Sequence, residues 1–508
     1  MDVCVAGSVK GGDSVNHLLR ALGGGGAVKE HKIGIMAENG EFFFYICCVE
    51  HTGMLEYNGY IITVSHSSCS YNEAVEEAAG ENMAYTIRRI RAREILASGA
   101  YPTVEASVEL SSGAVGCASV PYGASAGSRE ASVLVDNGKR YGGKGARRAV
   151  RNIEQKIAPA IIKKPYSGQQ ELDAALQALD PTPQKTKLGG NSILAVSIAF
   201  ARAAAAQDNQ PLYQYLRRAL RTHGARGMGA SQRPYVPGPM MVVIEGGRHA
   251  DQSTDFQEYL ICPLSRKKYA ERLRIGIEVY HAVKAVLRSR GLSTNVGTEG
   301  AFAPSGIRSN EAPLKIIMEA IERAGYVPGK DVGIALDPAA SEFFRNGSYV
   351  LSCEGKTLSA AHMVRRYKRL AQTYPIISIE DGLAEDDWEG WQKMYQVLGN
   401  DILVVGDDLT VSQKQYLERA VALDCVNAIL IKPNQAGTVS ETLATIAFAI
   451  QSEIATIVSH RGGGDTNDTF IMDLAVAAGS LFTKVGPSRG ERVEKYNRMM
   501  EIADILGK

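Results

Sequence analysis

The chain has 508 residues, of which 45% are hydrophobic and 22% are charged, a composition typical of a soluble globular protein. This length predicts two or three domains. The formal net charge of +1 gives no electrostatic reason to expect nucleic acid or a membrane surface as a partner, although it is compatible with a local phosphate site.

Cysteine usage and the first residues indicate the compartment. The eight cysteines have no regular spacing and form no CxxC pair, so we expect reduced thiols rather than a zinc site. The first twenty residues lack a continuous apolar core of signal-peptide length, and no later window approaches a membrane span. We therefore expect a cytoplasmic protein.

Residues 1–85 form an N-terminal extension whose role the sequence does not reveal. They contain a glycine-rich LGGGGA stretch and two β-like runs, EFFFYICCVE and YIITVSH. The segment GSVKGGDS superficially resembles a phosphate loop, but the Lys that should precede its final Ser is absent. An ordinary glycine-rich turn is the favoured interpretation.

Residues 86–235 are predicted to form an α+β domain. The β-like segments PTVEASVEL and GAVGCASVPYGAS precede two segments with apolar residues at helical spacing, ARRAVRNIEQKIAPAIIKK and NSILAVSIAFARAAAAQ. The small and polar stretch HGARGMGASQRPYVPGP, near residues 223–239, is predicted to be a linker.

Residues 236–508 alternate β-forming runs with helix-length segments, which predicts a parallel β/α barrel. The runs end in charged or metal-binding side chains: NVGTE at Glu299, VGIALD at Asp337, PIISIED at Glu380 and Asp381, ILVVGDD at Asp407 and Asp408, NAILIK at Lys432, and IVSH at His460. A barrel places catalytic groups at the carboxyl ends of its strands, so we expect these side chains to converge. In the helical segment NEAPLKIIMEAIERAG, Ser309 is expected to cap the start and Gly325 to end the helix.

The strand-end carboxylates Asp337, Glu380 and Asp407 offer hard oxygen ligands that suit Mg²⁺. A single such residue is more often a helix cap or turn former, but three in succession favour a metal. Lys432 is expected at the barrel mouth, where partial burial and nearby positive charge would lower its pKa and make the amine a general base. A base beside Mg²⁺ suits removal of a proton next to a carboxylate, with Glu299 as the candidate acid on the opposite face.

The order of the motifs over about residues 86–508 resembles the enolase family. The motifs are LGGNSILAVS, GASAGSREA, HADQSTDFQEYL, NVGTEGAFAP, ALDPAASEFF, SIEDGLAEDDW, VVGDDLTVS, IKPNQAGTVSET, VSHRGGGDTNDTF and SRGERVEKYN. The resemblance implies an α/β fold, with an enolase-type β/α barrel as the C-terminal domain and an α+β domain before it. It also implies dehydration of 2-phosphoglycerate to phosphoenolpyruvate, a small phosphorylated carboxylate substrate, two Mg²⁺ ions per active site, and a homodimer or higher homo-oligomer. A lysine base beside Mg²⁺ is an established feature of enolase-superfamily sites.

The resemblance implies a role for each matching residue. Lys432 would remove the C2 proton of the substrate, and Glu299 would assist loss of the C3 hydroxyl. The implied metal ligands are Asp337, Glu380 and Asp407 for the first Mg²⁺ and Ser125 for the second. The implied substrate and support residues are His249 on a mobile loop, Glu258 beside the acid, Arg461 for phosphate and Lys484 for the substrate carboxylate. Without the resemblance, His249 and Ser125 would be ordinary polar residues of glycine-rich loops. Arg461 would be part of a surface ion pair, and Lys484 would be the end of a final strand.

Several departures from the family motifs surround this site. The chain has ASGAYPTVE where the family has DSRGNPTVE, YGASAG where it has SGASTG, and GTEGA where it has GDEGG. HRGGGDTNDTF replaces HRSGETEDTF, with Gly462 in place of Ser and one additional residue, and the spacing after Lys484 is one residue shorter. Losing a hydroxyl donor to phosphate costs about 1–3 kcal/mol if nothing compensates. Two alternatives therefore stay open: a superfamily enzyme acting on another carboxylate, and a non-catalytic enolase-like binding protein.

Overall fold

The computed structural model describes residues 84–123, 129–225 and 234–508 in full and, in the extension, only the backbone of strands. Those strands are β1 (Asp2–Lys10), β2 (Lys32–Glu38), β3 (Glu41–Val49), β4 (Met54–Tyr57) and β5 (Tyr60–Thr63). Strands β1, β3 and β2 form an antiparallel sheet in that order, and β4 pairs with β5 as an antiparallel hairpin. The two predicted β runs contain β3 and β5. The LGGGGA stretch and the part of GSVKGGDS after Lys10 lie outside the described residues.

Residues 84–225 form an α+β domain, as the sequence predicts. Its sheet has the order β8-β7-β6-β9 and consists of β6 (Tyr85–Leu96), β7 (Pro102–Leu110), β8 (Val115–Ser119) and β9 (Pro165–Tyr166). Its helices are Arg147–Asn152, Ala158–Ile161, Gln169–Leu179, Gly190–Gln207 and Leu212–Thr222, with a π-helical turn at Ile153–Ile157.

The long helix Gly190–Gln207 packs across β7 and β8 and buries almost its whole length. Its sequence is rich in Ala, Ile, Leu and Val, so that it has no polar face to present to water. Gly116 allows the close approach, because a Cβ atom there would lie 2.0 Å from the carbonyl oxygen of Ala199. The predicted linker near residues 223–239 falls partly outside the described residues, and the domain boundary there stays a prediction.

From Gly238 onwards the chain forms a closed barrel with a small sheet inserted. The barrel order is β10 (Gly238–Glu245), β11 (Glu258–Pro263), β12 (Val332–Asp337), β16 (Ile376–Glu380), β17 (Leu403–Gly406), β18 (Ala428–Ile431), β19 (Ala455–Ser459) and β20 (Phe482–Val485). The inserted sheet is β13 (Phe344–Arg345), β14 (Ser348–Leu351) and β15 (Lys356–Leu358). The barrel strands are apolar on both faces because side chains fill the interior and helices cover the outside.

The covering helices follow the predicted alternation. They are Tyr269–Ser289, Ala312–Arg323, Ala360–Thr373, Trp388–Leu398, Lys414–Ala422, Val439–Gln451, Phe470–Ala478 and Gly490–Ile505, with a short helix at Pro433–Ala436. Gly325 follows the helix Ala312–Arg323 with a φ of 85°, as expected of a glycine that ends a helix. Ser309 is not its cap: its hydroxyl accepts the N–H of Glu311 in the preceding turn. Among the described residues, no helix is long and apolar enough to cross a membrane.

The expectation of an all-parallel barrel is wrong in two places. Strand β11 runs antiparallel to both β10 and β12. The run NVGTE is not a barrel strand, since it forms only an isolated bridge between Val296 and Phe302, and Phe302 also bridges to Ile244. A short loop docked against the barrel by single bridges has the same β-forming residues as a strand, and the periodicity of so few residues cannot separate them.

A part-buried ion pair links the first domain to the barrel. Nη1 and Nη2 of Arg202 donate to Oδ2 and Oδ1 of Asp468 at 2.6 and 2.8 Å. The same carboxylate accepts the N–H of Ser119, the last residue of β8, at 2.9 Å. Tyr122, just beyond β8, donates its N–H to the carbonyl of Gly464 at 2.7 Å. The segment that leads towards Ser125 is therefore held at the barrel mouth.

Candidate active site

The predicted site residues meet at one end of the barrel. Asp337 and Glu380 are the last residues of β12 and β16, and Asp407 and Lys432 come directly after β17 and β18. Glu258 reaches the same edge from the other direction, because it begins the antiparallel strand β11 and pairs in register with Asp337. The same pocket is also lined by His249, Glu299, Arg461 and Lys484. Ser125 lies outside the described residues, so its role stays a prediction.

The ammonium group of Lys484 links three carboxylates. Its Nζ donates to Oδ2 of Asp337 at 3.0 Å and to the two carboxylate oxygens of Glu380 at 2.7 and 2.8 Å. Oε2 of Glu258 lies 2.8 Å away. Burial lowers the pKa of Lys484, but Asp337, Glu258 and Glu380 outweigh burial and raise that pKa well above the usual lysine value. The side chain therefore carries a full positive charge in the barrel interior.

The ammonium group of Lys432 donates a hydrogen bond to Oδ2 of Asp407. Nε2 of Gln435 donates one to Oδ1 of the same carboxylate at 2.9 Å. Burial lowers the pKa of Lys432, whereas Asp407 raises it by more, so that the net shift is upward. The sequence-based expectation of a lowered lysine pKa is therefore wrong for the arrangement described, since it left out the direct contact with Asp407. The same contact lowers the pKa of Asp407 against the effect of burial.

Glu299 lies between two histidines. Its Oε2 is 3.3 Å from Nε2 of His460, and its Oε1 is 3.6 Å from Nδ1 of His249. Burial raises the pKa of the Glu299 carboxyl, but His460 and His249 lower it by more, and the net pKa falls well below the usual glutamate value. Burial also lowers the pKa of each histidine. Proton-transfer groups with strongly perturbed pKa values in one pocket are typical of catalytic sites.

Gly462 provides the space in which this group packs. A Cβ atom at Gly462 would lie 2.3 Å from Oε1 of Glu299 and 3.0 Å from Cε1 of His249. The family serine at this position would therefore overlap the carboxylate in the arrangement described. The departure at Gly462 thus alters the surroundings of the candidate acid as well as the phosphate-binding motif.

Arg461 is paired within the pocket. Its Nη1 donates to Oε2 of Glu130 at 2.8 Å, and both side chains are buried. Nε2 of Gln435 lies 3.3 Å from the other oxygen of Glu130, which connects Arg461 to the Asp407 group. The interpretation of Arg461 as a member of an ordinary surface ion pair is therefore excluded.

The sequence interpretation missed two buried carboxyl groups of this region, Glu130 and Glu245. Glu245 is the last residue of β10 and is fully buried. It ends the apolar run GPMMVVIE, which is the signal used for the other strands. The run was not recognised because a glycine-rich loop, rather than a helix, follows it.

The pocket fits a divalent cation by the charge and chemistry of its donors. Its described carboxylates are Glu130, Glu258, Glu299, Asp337, Glu342, Asp381, Asp407 and Asp408, against the cations Lys432, Arg461 and Lys484. Asp381, Asp407 and Asp408 each offer an oxygen within 4.8 Å of the others. Burial raises the pKa of Glu380 well above its usual value, and the neighbouring carboxylate of Asp337 adds to this effect. Such a set of hard oxygen donors suits Mg²⁺.

Comparison with known protein families agrees with this architecture. The family model described as "Enolase, N-terminal domain" matches residues 87–216. The family model described as "Enolase, C-terminal TIM barrel domain" matches residues 234–508. Together they cover most of the chain outside the N-terminal extension.

Proposed function

Because the chain belongs to the enolase family, we propose that it catalyses the reversible, Mg²⁺-dependent dehydration of 2-phosphoglycerate to phosphoenolpyruvate in glycolysis and gluconeogenesis. The family domains support a lyase-type enzyme of the enolase superfamily. The observation that carries the finer proposal is that Lys432 and Glu299 line one buried pocket together with carboxylates suited to Mg²⁺. An amine base and a carboxylic acid in one site are the groups that this elimination requires.

In the proposed reaction the described side chains move the protons. Lys432 takes the proton from C2 of the substrate, and the electron pair of that bond forms the C2–C3 double bond. In the fraction of protein in which Glu299 carries a proton, Glu299 gives it to the C3 hydroxyl, which leaves as water. Glu258 lies beside Glu299 and supports it, and His249 lies close to the substrate. These are the roles that the family resemblance implies at these positions.

Asp337, Glu380 and Asp407 would hold the first of two Mg²⁺ ions, and Ser125 would contribute to the second. Bound metal would supply positive charge against the charge that develops on the substrate carboxylate. A carboxylate that shares its charge with a divalent cation attracts the lysine proton less strongly, so that Lys432 becomes a better base. Lys484, released from its carboxylates, would be free to pair with the substrate carboxylate, and Arg461 would contact the phosphate.

A second candidate is a superfamily enzyme that acts on another carboxylate. Gly462 favours it, since a serine side chain at this position would overlap Glu299 in the arrangement described. A substrate with a different substituent at the phosphate position would not need the hydroxyl that Gly462 lacks. The retained Arg461 and His249 favour the phosphate.

We further propose that the protein works in the cytoplasm as a homodimer or a higher homo-oligomer, as the family resemblance implies. Its substrate is a small phosphorylated carboxylate, and neither nucleic acid nor a membrane is expected as a partner. The net charge of +1 supports the second expectation. Analytical ultracentrifugation of the purified chain tests the assembly state.

A direct assay tests the reaction. Phosphoenolpyruvate formation is followed by its absorbance with saturating Mg²⁺ and 2-phosphoglycerate, for the wild type and for Lys432→Ala and Glu299→Gln. We expect turnover by the wild type and a loss of at least about 10²-fold in each variant, because proton transfer contributes about 10²- to 10⁴-fold. Lys315→Ala, on the exposed side of the helix Ala312–Arg323, is the control and should be unaffected.

The outcomes separate the candidates. Turnover of 2-phosphoglycerate that survives in Lys432→Ala would reject the proposed base. Wild-type protein that binds Mg²⁺ and an enediolate-type inhibitor lacking phosphate, yet does not turn over 2-phosphoglycerate, would favour the other carboxylate substrate. Mg²⁺ binding with no turnover of any carboxylate would favour a non-catalytic binding protein.

A further inference from the structure

Glu245 is a buried carboxyl group beside the candidate acid for which the proposed reaction has no role. Its Oε1 accepts the backbone N–H of Glu299 at 3.0 Å and that of Ala301 at 2.8 Å, and the hydroxyl of Thr298 lies 3.3 Å from its Oε2. One side chain therefore holds three groups of the loop that carries Glu299, within four consecutive residues. We infer that Glu245 is a positioning residue that fixes this loop and couples its own charge to Glu299, an inference that rests on the proposed function.

The loop leaves little room for another arrangement. A Cβ atom at Gly297 would lie 2.3 Å from Oε2 of Glu245, so the glycine permits the carboxylate to reach the loop. The backbone N–H of Glu245 also donates to the carbonyl of Phe302 at 2.8 Å. Both ends of the loop that carries Glu299, here called the acid loop, are thus attached to the end of β10 through Glu245.

The same residue lies where the His249 loop begins. Its carbonyl oxygen accepts the hydroxyl of Ser253 at 3.2 Å, and the next residue, Gly246, donates its N–H to the carbonyl of Gln257 at 2.8 Å. Glu245 therefore joins the two loops that place His249 and Glu299 against each other.

Titratable groups close to Glu245 lie on three elements of the described part of the chain. These are Glu299 on the acid loop, Glu258 as its cross-strand partner on β11, and Tyr280 on the helix Tyr269–Ser289. Burial first and then Glu299 raise the pKa of Glu245 to about 8, against the effect of the backbone N–H donors. Neutral and ionised forms of Glu245 are therefore both populated around pH 8, while Glu299 has a pKa well below its usual value.

The kinetic test uses Glu245→Gln, which keeps the size and one acceptor oxygen but cannot ionise. Below about pH 7 wild type and variant both carry a neutral side chain and should differ little in kcat. Above about pH 8 only the wild type gains a negative charge beside Glu299, which raises the pKa of Glu299 and the fraction of Glu299 that carries a proton. The ratio of wild-type to variant kcat should therefore rise with pH, about tenfold for each unit by which that pKa rises. A ratio independent of pH would overturn the inference.

A second readout does not need turnover, and so it separates failure of this inference from failure of the proposed function. In protein labelled with ¹⁵N-histidine, the ring nitrogens of His460 report on the charge state around Glu299. We expect an inflection near pH 8 in the wild type that is missing in Glu245→Gln. Absence of that inflection in the wild type would overturn the inference even if 2-phosphoglycerate is turned over.

Two further variants test whether the inflection belongs to Glu245. Thr298→Val removes only the hydroxyl contact, which lowers the pKa of Glu245, so the inflection should move to higher pH. Asp173→Asn neutralises an equally buried carboxyl in the first domain, where its partners are Gln169 and Ser440. It should leave the His460 titration unchanged. An inflection that does not move in Thr298→Val, or that disappears in Asp173→Asn, would contradict the assignment.

Discussion

Nε2 of His460 lies 3.3 Å from Oε2 of Glu299, and both side chains are about 1% exposed. On its other side, Nδ1 of His460 faces Nε of Arg492 at 3.3 Å and the N–H of Gly486 at 3.4 Å. Donors on that side favour the tautomer that has its proton on Nε2, the nitrogen nearer the carboxylate. His460 therefore acts on the charge of Glu299 across a short, buried distance.

We predict that His460→Gln raises the pKa of Glu299. Burial alone raises that pKa, and His460 is the largest influence that opposes burial. The limb of the pH profile of kcat that reports Glu299 should therefore move to higher pH, and kcat should fall because the acid is less well oriented. The measurement is the pH dependence of kcat at saturating substrate. His362→Gln, an exposed histidine on the helix Ala360–Thr373, is the control, and a limb that stays in place in His460→Gln would contradict the prediction.

Gly462→Ala should impair the site by crowding. The added methyl group would lie 2.3 Å from Oε1 of Glu299, and relief requires Glu299 or His249 to move. Crowding of a packed site costs about 1–3 kcal/mol, so we expect a lower melting temperature and a reduced kcat/KM. In Gly490→Ala a Cβ meets nothing within 4 Å, and this variant is the matched control. Equal behaviour of the two variants would show that the Glu299 arrangement is not the one described.

Lys484→Met should destabilise the protein in a manner that Mg²⁺ reverses. Removing the ammonium leaves Glu258, Asp337 and Glu380 without their counter-charge, which costs about 3–5 kcal/mol for a buried pair. A bound divalent cation replaces that charge, so the loss of melting temperature should shrink as Mg²⁺ is added.

The control for this prediction is Lys495→Met. Lys495 is equally buried, and its Nζ lies 2.9 Å from Oδ2 of Asp465, outside the carboxylate group of the pocket. Its destabilisation should be the same with and without Mg²⁺. If Mg²⁺ restores the melting temperatures of both variants equally, the cation is not acting at the carboxylates that Lys484 contacts.

The domain contact gives a prediction about stability that is independent of the chemistry. Arg202→Lys retains the charge but loses the two parallel hydrogen bonds to Asp468, and a lysine cannot reproduce the planar fork. We expect a loss of about 1–3 kcal/mol in urea unfolding, because the partner carboxylate is only 10% exposed. Arg88→Lys, whose arginine is 68% exposed in its pair with Glu109, should change the free energy of unfolding by less than about 1 kcal/mol.

The barrel and most of its catalytic edge could be predicted because apolar runs that end in a charged residue are a local signal. Asp337, Glu380 and Lys432 each occupy the strand end that their run predicts. Glu258 could be predicted only through the family resemblance. It is the first residue of an antiparallel strand, whereas the other charged residues end their runs. Glu299 was placed in the right pocket on the wrong element, since a loop bridged by Phe302 has the composition of a strand.

The electrostatics could not be predicted from sequence. The pKa of Lys432 depends on whether burial or the carboxylate of Asp407 has the larger effect, and this is set by the distance between the two side chains. The link from Lys484 to Glu258, Asp337 and Glu380 likewise depends on side chains from four strands meeting at one point. Such contacts follow from the closed barrel and not from any segment of the chain.

Exchange of the C2 hydrogen of 2-phosphoglycerate with solvent deuterium tests the central claim most directly, because it observes proton removal without requiring loss of the hydroxyl. With Mg²⁺ present, we predict that the wild type and Glu299→Gln both incorporate deuterium at C2, measured by NMR, and that Lys432→Ala does not. Incorporation by Lys432→Ala at the wild-type rate would contradict the assignment of Lys432 as the base.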